Sequence, residues 1–377
     1  MGFTFTNPNK GCEALTYSFL NILEGMRLDD LEIYSFGYTE IGKLESEYPK
    51  IKFHSIRHRM KNPLYLMRLK RYFDQMDCIF DITYGDGFSD IYGKTWNCIT
   101  NLAKQIANAS AAPFVLLPQT YGPYYNAFLK KWALRIIKNA DAAFSRDELS
   151  AEEMNRYLPD KVIPVTDLAF CLPFDREKYP MADNGPIRIG LNVSGLLWNQ
   201  GHSDTIRLSM DYQSFIRKLI SELLSLGYEV HLIPHVIDED GASTPEDDLA
   251  PCNQLKREFP DVILPRAFEN AIDAKSYISN MNVFIGSRMH STIGSFSSGV
   301  VTIPVSYSKK FEGLFHTLNY PYVVSATTLQ EDEAISAVMD YISKRDQLAQ
   351  RQQEAMIAVN AKLEEFRKRI ARMIDKD

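Results

Sequence analysis

Cysteine is scarce and scattered in this chain. Its five cysteines (Cys12, Cys78, Cys98, Cys171, Cys252) form no C-x-x-C pair and no metal-ligand spacing. That excludes a zinc ribbon or a disulfide framework and points to reduced thiols in a cytosolic protein. No apolar run reaches the roughly 18 residues a membrane helix needs, and no signal-like segment opens the chain. The expectation is a soluble, cytoplasmic protein with at most peripheral contact at the inner face of a membrane. A basic excess is missing too: 42 Lys and Arg stand against 48 Asp and Glu, for a net charge of -6. No broad footprint for nucleic acid follows from that balance, so any anion site depends on local placement of a few cations. Internal repeats, low-complexity tracts and a G-x-G-x-x-G loop are also absent.

What the chain does have is length and order. Its 377 residues, 45% hydrophobic and 24% charged, exceed one ordinary core, so two domains are expected. GFTFT reads as a first strand, and NPNKGCEAL as a turn into the helix TYSFLNILEGM. Strands LEIYSFG, DCIFDITYGDG, APFVLLPQTYG, DAAFS and VIPVTDL then alternate with helical stretches. Residues from about 40 to 75 are charged and irregular, with His54, Arg57, His58, Arg59 and Arg68. Most of those charges read as a solvated face, with acceptor or membrane binding as the alternative. MADNGP at 181–186 is turn-rich and central, the best linker.

A second series then begins with IRIGLNVSG, YEVHLIPHV and DVILPRAF, and continues through the segment at 281–314 to YPYVVSA. Residues 329–377 are helical and charge-laced. Repeated βα units imply mostly parallel sheets. The expected fold is α/β: two Rossmann-like domains facing a cleft, GT-B-like, at 1–180 and 187–328, with a C-terminal helical segment at 329–377 that covers the linker or returns to the first domain.

Residues 281–314 concentrate the chemistry. MNVFIG is a short buried strand closed by Gly286; Ser287, Arg288, Met289 and His290 follow, then small residues suited to a tightly packed helix. VVTIPV is the next strand, tipped by Tyr307, Lys309 and Lys310. Parallel strands joined by a helix bring both tips to the carboxyl edge where open α/β sheets bind ligands. A guanidinium, an imidazole and ammonium groups at one edge suit an anionic substrate that undergoes proton transfer. A lone histidine after a strand is usually a cap or a satisfied core residue; the company of Arg288 and the lysines changes that reading for His290. Arg288 itself has a bland alternative, a domain-closing salt bridge. Other strand-tip candidates are Gln119, Arg146, Ser194 and His235, together with Asp86 between two glycines. Gly11 marks a close backbone approach, and Glu13 lies in the first turn of its helix.

These residues resemble the polysaccharide pyruvyl transferase family. The likeness is carried by N-x-G-x-E-A-L at 9–15, P-Q-T-Y-G-P at 118–123, S-R-D-E-x-S at 145–150, D-L-A-F at 167–170, G-S-R-M-H-S at 286–291 and S-Y-S-K-K-F-E-G at 306–313. Cys12 stands where the family often has Asp, and the Gln-Thr-Tyr-Gly run varies a Gln-Ser-Ile-Gly theme. The resemblance implies transfer of a pyruvyl group from phosphoenolpyruvate to two hydroxyls of a sugar, in a surface polysaccharide or its lipid-linked precursor. A cyclic ketal forms and phosphate leaves, with no cofactor or metal. In that scheme Arg288 and His290 are catalytic. Lys310, Lys309, Arg146, Gln119, Asn9, Gly11, Glu13, Asp86, Ser194, His235 and Tyr307 bind substrates, with Glu13 or Asp86 assisting on the acceptor side. Two other readings stay open: a glycosyltransferase using a nucleotide sugar, with Glu312 as ribose carboxylate, and a non-catalytic glycan-binding protein.

Overall fold

A computed structural model describes residues 1–28, 30–37, 41–57, 59–60, 62–182, 184–200, 206–238 and 245–374. The chain divides into two compact units: Met1–Thr6, Phe19–Leu168 and Asn360–Asp377 form the first, and Asn7–Ser18 and Ala169–Val359 the second. The main change of unit thus falls between Leu168 and Ala169, ahead of the turn-rich stretch at 181–186.

In the first unit the strands Ile79–Asp81, Phe114–Gln119, Ala142–Ser145 and Val162–Pro164 pair in that order, all parallel. Helices Lys94–Asn108, Ala127–Asn139 and Glu148–Asn155 connect them. Both faces of the central strands are covered, so Phe114–Gln119 is buried at every position and reads as a continuous apolar run. Phe114, Leu116, Ile136, Ile137 and Met154 lie in one core cluster. From Asn360 on, the last helix packs within this unit, with Phe366 set edge-on to Phe144 at 5.0 Å.

Two expectations are corrected here. GFTFT is not a paired strand; it runs beside Ile79–Asp81 through hydrogen bonds from Ile82 N to Met1 O and from Tyr84 N to Gly2 O, each 3.0 Å. The charged stretch from 40 to 75 is not irregular. It holds helices Ile41–Glu47 and Pro63–Phe73 and the strand Lys52–Ile56, which pairs in parallel with Glu32–Phe36. Asn62 caps the second of these helices, accepting from Leu64 N and Tyr65 N, with Pro63 at its start. His58 lies outside the described residues.

The second unit has a five-stranded parallel sheet. Across it the strands run Val324–Ser325, Val301–Ser306, Val283–Gly286, Arg188–Asn192 and Glu229–Leu232. In chain order that is 2-1-3-4-5: the sequence of strands reverses between Arg188–Asn192 and Val283–Gly286, the switch point at which such sheets hold ligands. DVILPR contributes a single bridge, His231 to Ile263, in place of the expected strand. Gly195, just past the first strand of this sheet, has no room for a side chain: a Cβ there would lie 2.0 Å from the Asp247 carbonyl oxygen. Gly195→Ala is therefore expected to cost roughly 1–3 kcal/mol by overpacking. The denaturant midpoint should fall at unchanged slope, and an unchanged midpoint contradicts this packing.

Candidate active site

Everything at the switch point of the second unit is tied to two buried side chains, Asn192 and Asp248. Asn192 ends its strand and clamps both neighbours: its Oδ1 accepts from Arg288 N at 2.8 Å, and its Nδ2 donates to Ile233 O at 2.9 Å. Asp248 is fully buried. Its Oδ1 accepts from Gly195 N at 2.7 Å and from Arg288 Nε and Nη2 at 3.1 and 2.8 Å. Its Oδ2 accepts from His235 N and Val236 N, both at 3.0 Å. One carboxylate thus gathers the tips of three strands and neutralises the guanidinium. Arg288 also donates from Nη2 to Glu246 O at 2.5 Å, and its Nη1 lies 3.6 Å from the Glu246 carboxylate. Burial opposes the Arg288 charge, yet Asp248, Tyr307 and Glu246 together raise its pKa above the ordinary value. The forked donor expected for a ligand is therefore already engaged by a structural partner. Arg288 acts on the site mainly through the frame it holds.

Arg288 is the residue before the helix Met289–Ser297, so His290 stands in that helix's first turn, where the dipole and free amides favour an anion. The loop at 7–13 closes on it. A Cβ on Gly11 would come 2.4 Å from Nδ1 and 2.8 Å from Cγ of His290, so the imidazole lies directly on the glycine backbone. Asn9 Oδ1 accepts from Gly11 N at 2.9 Å, and Lys10 N donates to His235 O at 3.1 Å. Asn9, Gly11, His235 and His290 accordingly assemble within one unit. A loop at the N-terminal end was expected on the acceptor side; it belongs instead with the second unit.

Glu13 is corrected in role. Its Oε1 accepts from Asn7 N at 2.9 Å and Lys10 Nζ at 3.3 Å, and its Oε2 accepts from Ala271 N at 3.0 Å. Burial raises its pKa, against Lys10. Its lone pairs are spent bracing the loop against the helix Ala271–Ile278, not on a substrate.

Two further groups here are buried and lack hydrogen-bond partners among the described residues: Ser194 Oγ, and both ring nitrogens of His235. Buried polar atoms are almost always paired with protein, ordered water or a ligand, so such orphans make this a candidate site. Ser194 N donates to Tyr212 Oη at 3.0 Å, and Tyr212 donates to Ser287 Oγ at 2.8 Å. Burial, with His290, Arg288 and Lys10 nearby, drives the His235 pKa well below its ordinary value, so the folded protein carries it neutral. Tyr307 is half-buried and faces Phe311 edge-on at 6.1 Å. Lys310 is exposed in the first turn of the helix Lys309–Thr317, while the Lys309 side chain lies outside the described residues. Glu312 accepts from Ser325 Oγ at 2.7 Å.

The first unit gathers the remaining candidates at its own sheet edge. Arg146 pairs with Asp167 at 3.1 Å and donates to Thr120 Oγ1 at 2.8 Å. Asp147 accepts from Thr120 and caps the helix Glu148–Asn155 through Ser150 N. Gln119 donates to Asp81 O at 3.0 Å, and its Oε1 is buried without a donor among the described residues. Asp86 accepts from Tyr92 Oη at 3.1 Å, beside a turn in which Thr83 and Tyr84 have φ of 40° and 57°. Non-glycine residues held there cost on the order of 1 kcal/mol or more each, a strain that gathers at functional sites.

The fold and this geometry define a GT-B-type α/β protein. Over nearly its full length the chain is similar to a glycosyltransferase from Rickettsia africae ESF-5 (13% identity, 97% of this chain and 96% of that one, TM-score 0.60). It is likewise similar to a UDP-GlcNAc 2-epimerase from Neisseria meningitidis bound to UDP-GlcNAc (12%, 94% and 97%, 0.55) and to an Anabaena protein in complex with UDP-glucose (10%, 94% and 95%, 0.55). Identities this low speak for the fold alone, and no curated protein matches by sequence. The family model for polysaccharide pyruvyl transferase matches residues 9–309, and the chain belongs to that family.

Sequence reasoning missed Asp248, which sits in an acid-rich stretch with no periodicity. Asp248→Ala leaves the buried Arg288 with only the half-exposed Glu246 as counter-charge and strips three backbone amides of their acceptor, and should destabilise the fold by about 3–5 kcal/mol in denaturant titration. A loss under about 1 kcal/mol contradicts this frame. Unfolded, His235 takes its proton near pH 6.5, whereas folded it takes one only at much lower pH. Stability is present above about pH 6.5 and is lost as pH falls below it, by about 1.4 kcal/mol per pH unit at the steepest. His235→Gln should flatten the stability profile between about pH 5 and 6.5; an unaltered slope contradicts a neutral buried imidazole.

Proposed function

We propose that the chain transfers the pyruvyl group of phosphoenolpyruvate to two hydroxyls of a sugar, forming a cyclic ketal and releasing phosphate. The carrying observation is a set of buried polar atoms without partners among the described residues, at the switch point of the second unit. There Ser194 Oγ and the His235 nitrogens lack hydrogen-bond partners among the described residues, near the helix N-terminus that bears His290. The N-terminus of the helix Met289–Ser297 suits an anionic group of the donor. Family membership supports a transferase acting on polysaccharide.

In this scheme His290 protonates the methylene carbon of phosphoenolpyruvate, and positive charge develops at C2. A sugar hydroxyl attacks C2 and returns its proton to the imidazole, which restores the acid. The second hydroxyl then displaces phosphate from C2, and its proton leaves with the phosphate. Gly11 is a positioning residue: it lets the ring lie where the proton is needed. The nucleotide-sugar reading is weaker, because Glu312, its ribose carboxylate, already accepts from Ser325.

The test is phosphate release from phosphoenolpyruvate, without any nucleotide sugar, over a panel of synthetic and lipid-linked galactosides and mannosides, with products read by mass. A product heavier by one pyruvyl ketal is expected. Turnover only with a nucleotide sugar contradicts the proposal. His290→Ala should lower turnover by about 10²–10⁴-fold while donor binding persists. Gly11→Ala, by displacing the ring, should cost about 10²-fold in turnover with a smaller change in donor affinity. Full activity in both variants would remove His290 from the mechanism.

A further inference from the structure

The stretch from Tyr48 to Phe73 holds eight Lys and Arg and no Asp or Glu, in a chain of net charge -6. Neither the donor pocket nor the first unit's polar edge uses it. Its helix, Pro63–Phe73, buries Leu69 and Phe73 at 0% and 3% exposure. On the opposite face Leu64 and Met67 stand 70% and 63% exposed. Arg68 and Arg71, also exposed, complete that face at the spacing i, i+3, i+4, i+7. Lys70 is paired with Asp74 at 2.8 Å, but no carboxylate among the described residues pairs with Arg57, Arg59, Arg68 or Arg71. Tyr65 Oη donates to Arg57 O and fastens the preceding loop to the helix. Water is a poor partner for two large apolar side chains, and no carboxylate among the described residues neutralises the four arginines.

We infer that this face docks on an anionic bilayer surface, with Leu64 and Met67 entering the headgroup boundary and the arginines meeting lipid phosphates. A helix that is apolar and basic on one exposed face suits such a surface, because burial and charge attraction add. Each cation near the surface contributes about a fivefold gain in partitioning. No described helix is long and apolar enough to cross a membrane, so this contact would lie on the surface.

The test is flotation of the purified full chain with vesicles of phosphatidylcholine alone or with one third phosphatidylglycerol. Binding is expected to the anionic vesicles only, released by 0.5 M salt because screening shortens the reach of the charges. Arg68→Gln with Arg71→Gln should weaken it about thirtyfold, two cations at about fivefold each. Leu64→Ser with Met67→Ser should abolish retention. All four side chains are exposed, so circular dichroism and the melting temperature should match the parent. No binding to anionic vesicles, or equal binding by the parent and both double variants, overturns the inference. A dimer in solution that the Leu64 and Met67 variant splits assigns the face to a second copy and overturns it as well.

Discussion

The buried pair of Arg288 and Asp248 is the constraint on which the second unit depends. A carboxylate with no exposure is tolerable only when its lone pairs are taken, and Asp248 accepts from three backbone amides as well as the guanidinium. Removing either partner strands the other in a low-dielectric interior, which is why the arrangement resists drift. Its consequence is positional. The pair sets where the helix Met289–Ser297 begins, and that start fixes the turn from which His290 projects. The arginine next to the histidine is thus more a part of the scaffold than a hand for the substrate.

Around that pair the sheet order supplies the opening. Strand order reverses at Arg188–Asn192 and Val283–Gly286, so the connections leave the sheet in opposite directions and the edge above these two strands is left uncovered by them. Asn192, lying on one side of the gap, reaches the backbone of both neighbours. The loop at 7–13 completes the pocket from far away in sequence, through its bridge from Asn9 to Val236 and the approach of Gly11 to His290. Polar atoms without hydrogen-bond partners among the described residues, Ser194 Oγ and the His235 nitrogens, occur around these pieces. A site rigid in its frame, with polar atoms still to be paired, suits transfer chemistry: orientation settled before the substrate arrives.

Much of the fold was legible in the amino-acid order because it is local. Period-two and apolar runs bounded by glycine or polar tips marked most strands of both sheets, and the βα alternation implied parallel pairing. The place of His290, just after a strand and at the start of a helix of small residues, was readable too. What could not be read is non-local. Nothing in NPNKGCEAL says that it folds with strands more than two hundred residues later, and so Glu13 looked like an acceptor-side group when it is a brace for Ala271. Asp248 lies in an acidic stretch that resembles solvated loop; only the fold turns one of those carboxylates inward. The stretch around Pro63–Phe73 looked irregular because its charges hid the period of Leu66, Leu69 and Phe73. Its cap at Asn62 was the overlooked signal.

The central claim is that phosphoenolpyruvate occupies the pocket built by Ser194, His235 and His290. A crystal structure of the chain with phosphoenolpyruvate bound tests it most directly. Density is expected within hydrogen-bonding reach of Ser194 Oγ and the His235 ring, with the methylene carbon facing the His290 imidazole. Density that leaves Ser194 and His235 untouched, with their polar atoms still unpartnered, would contradict the account.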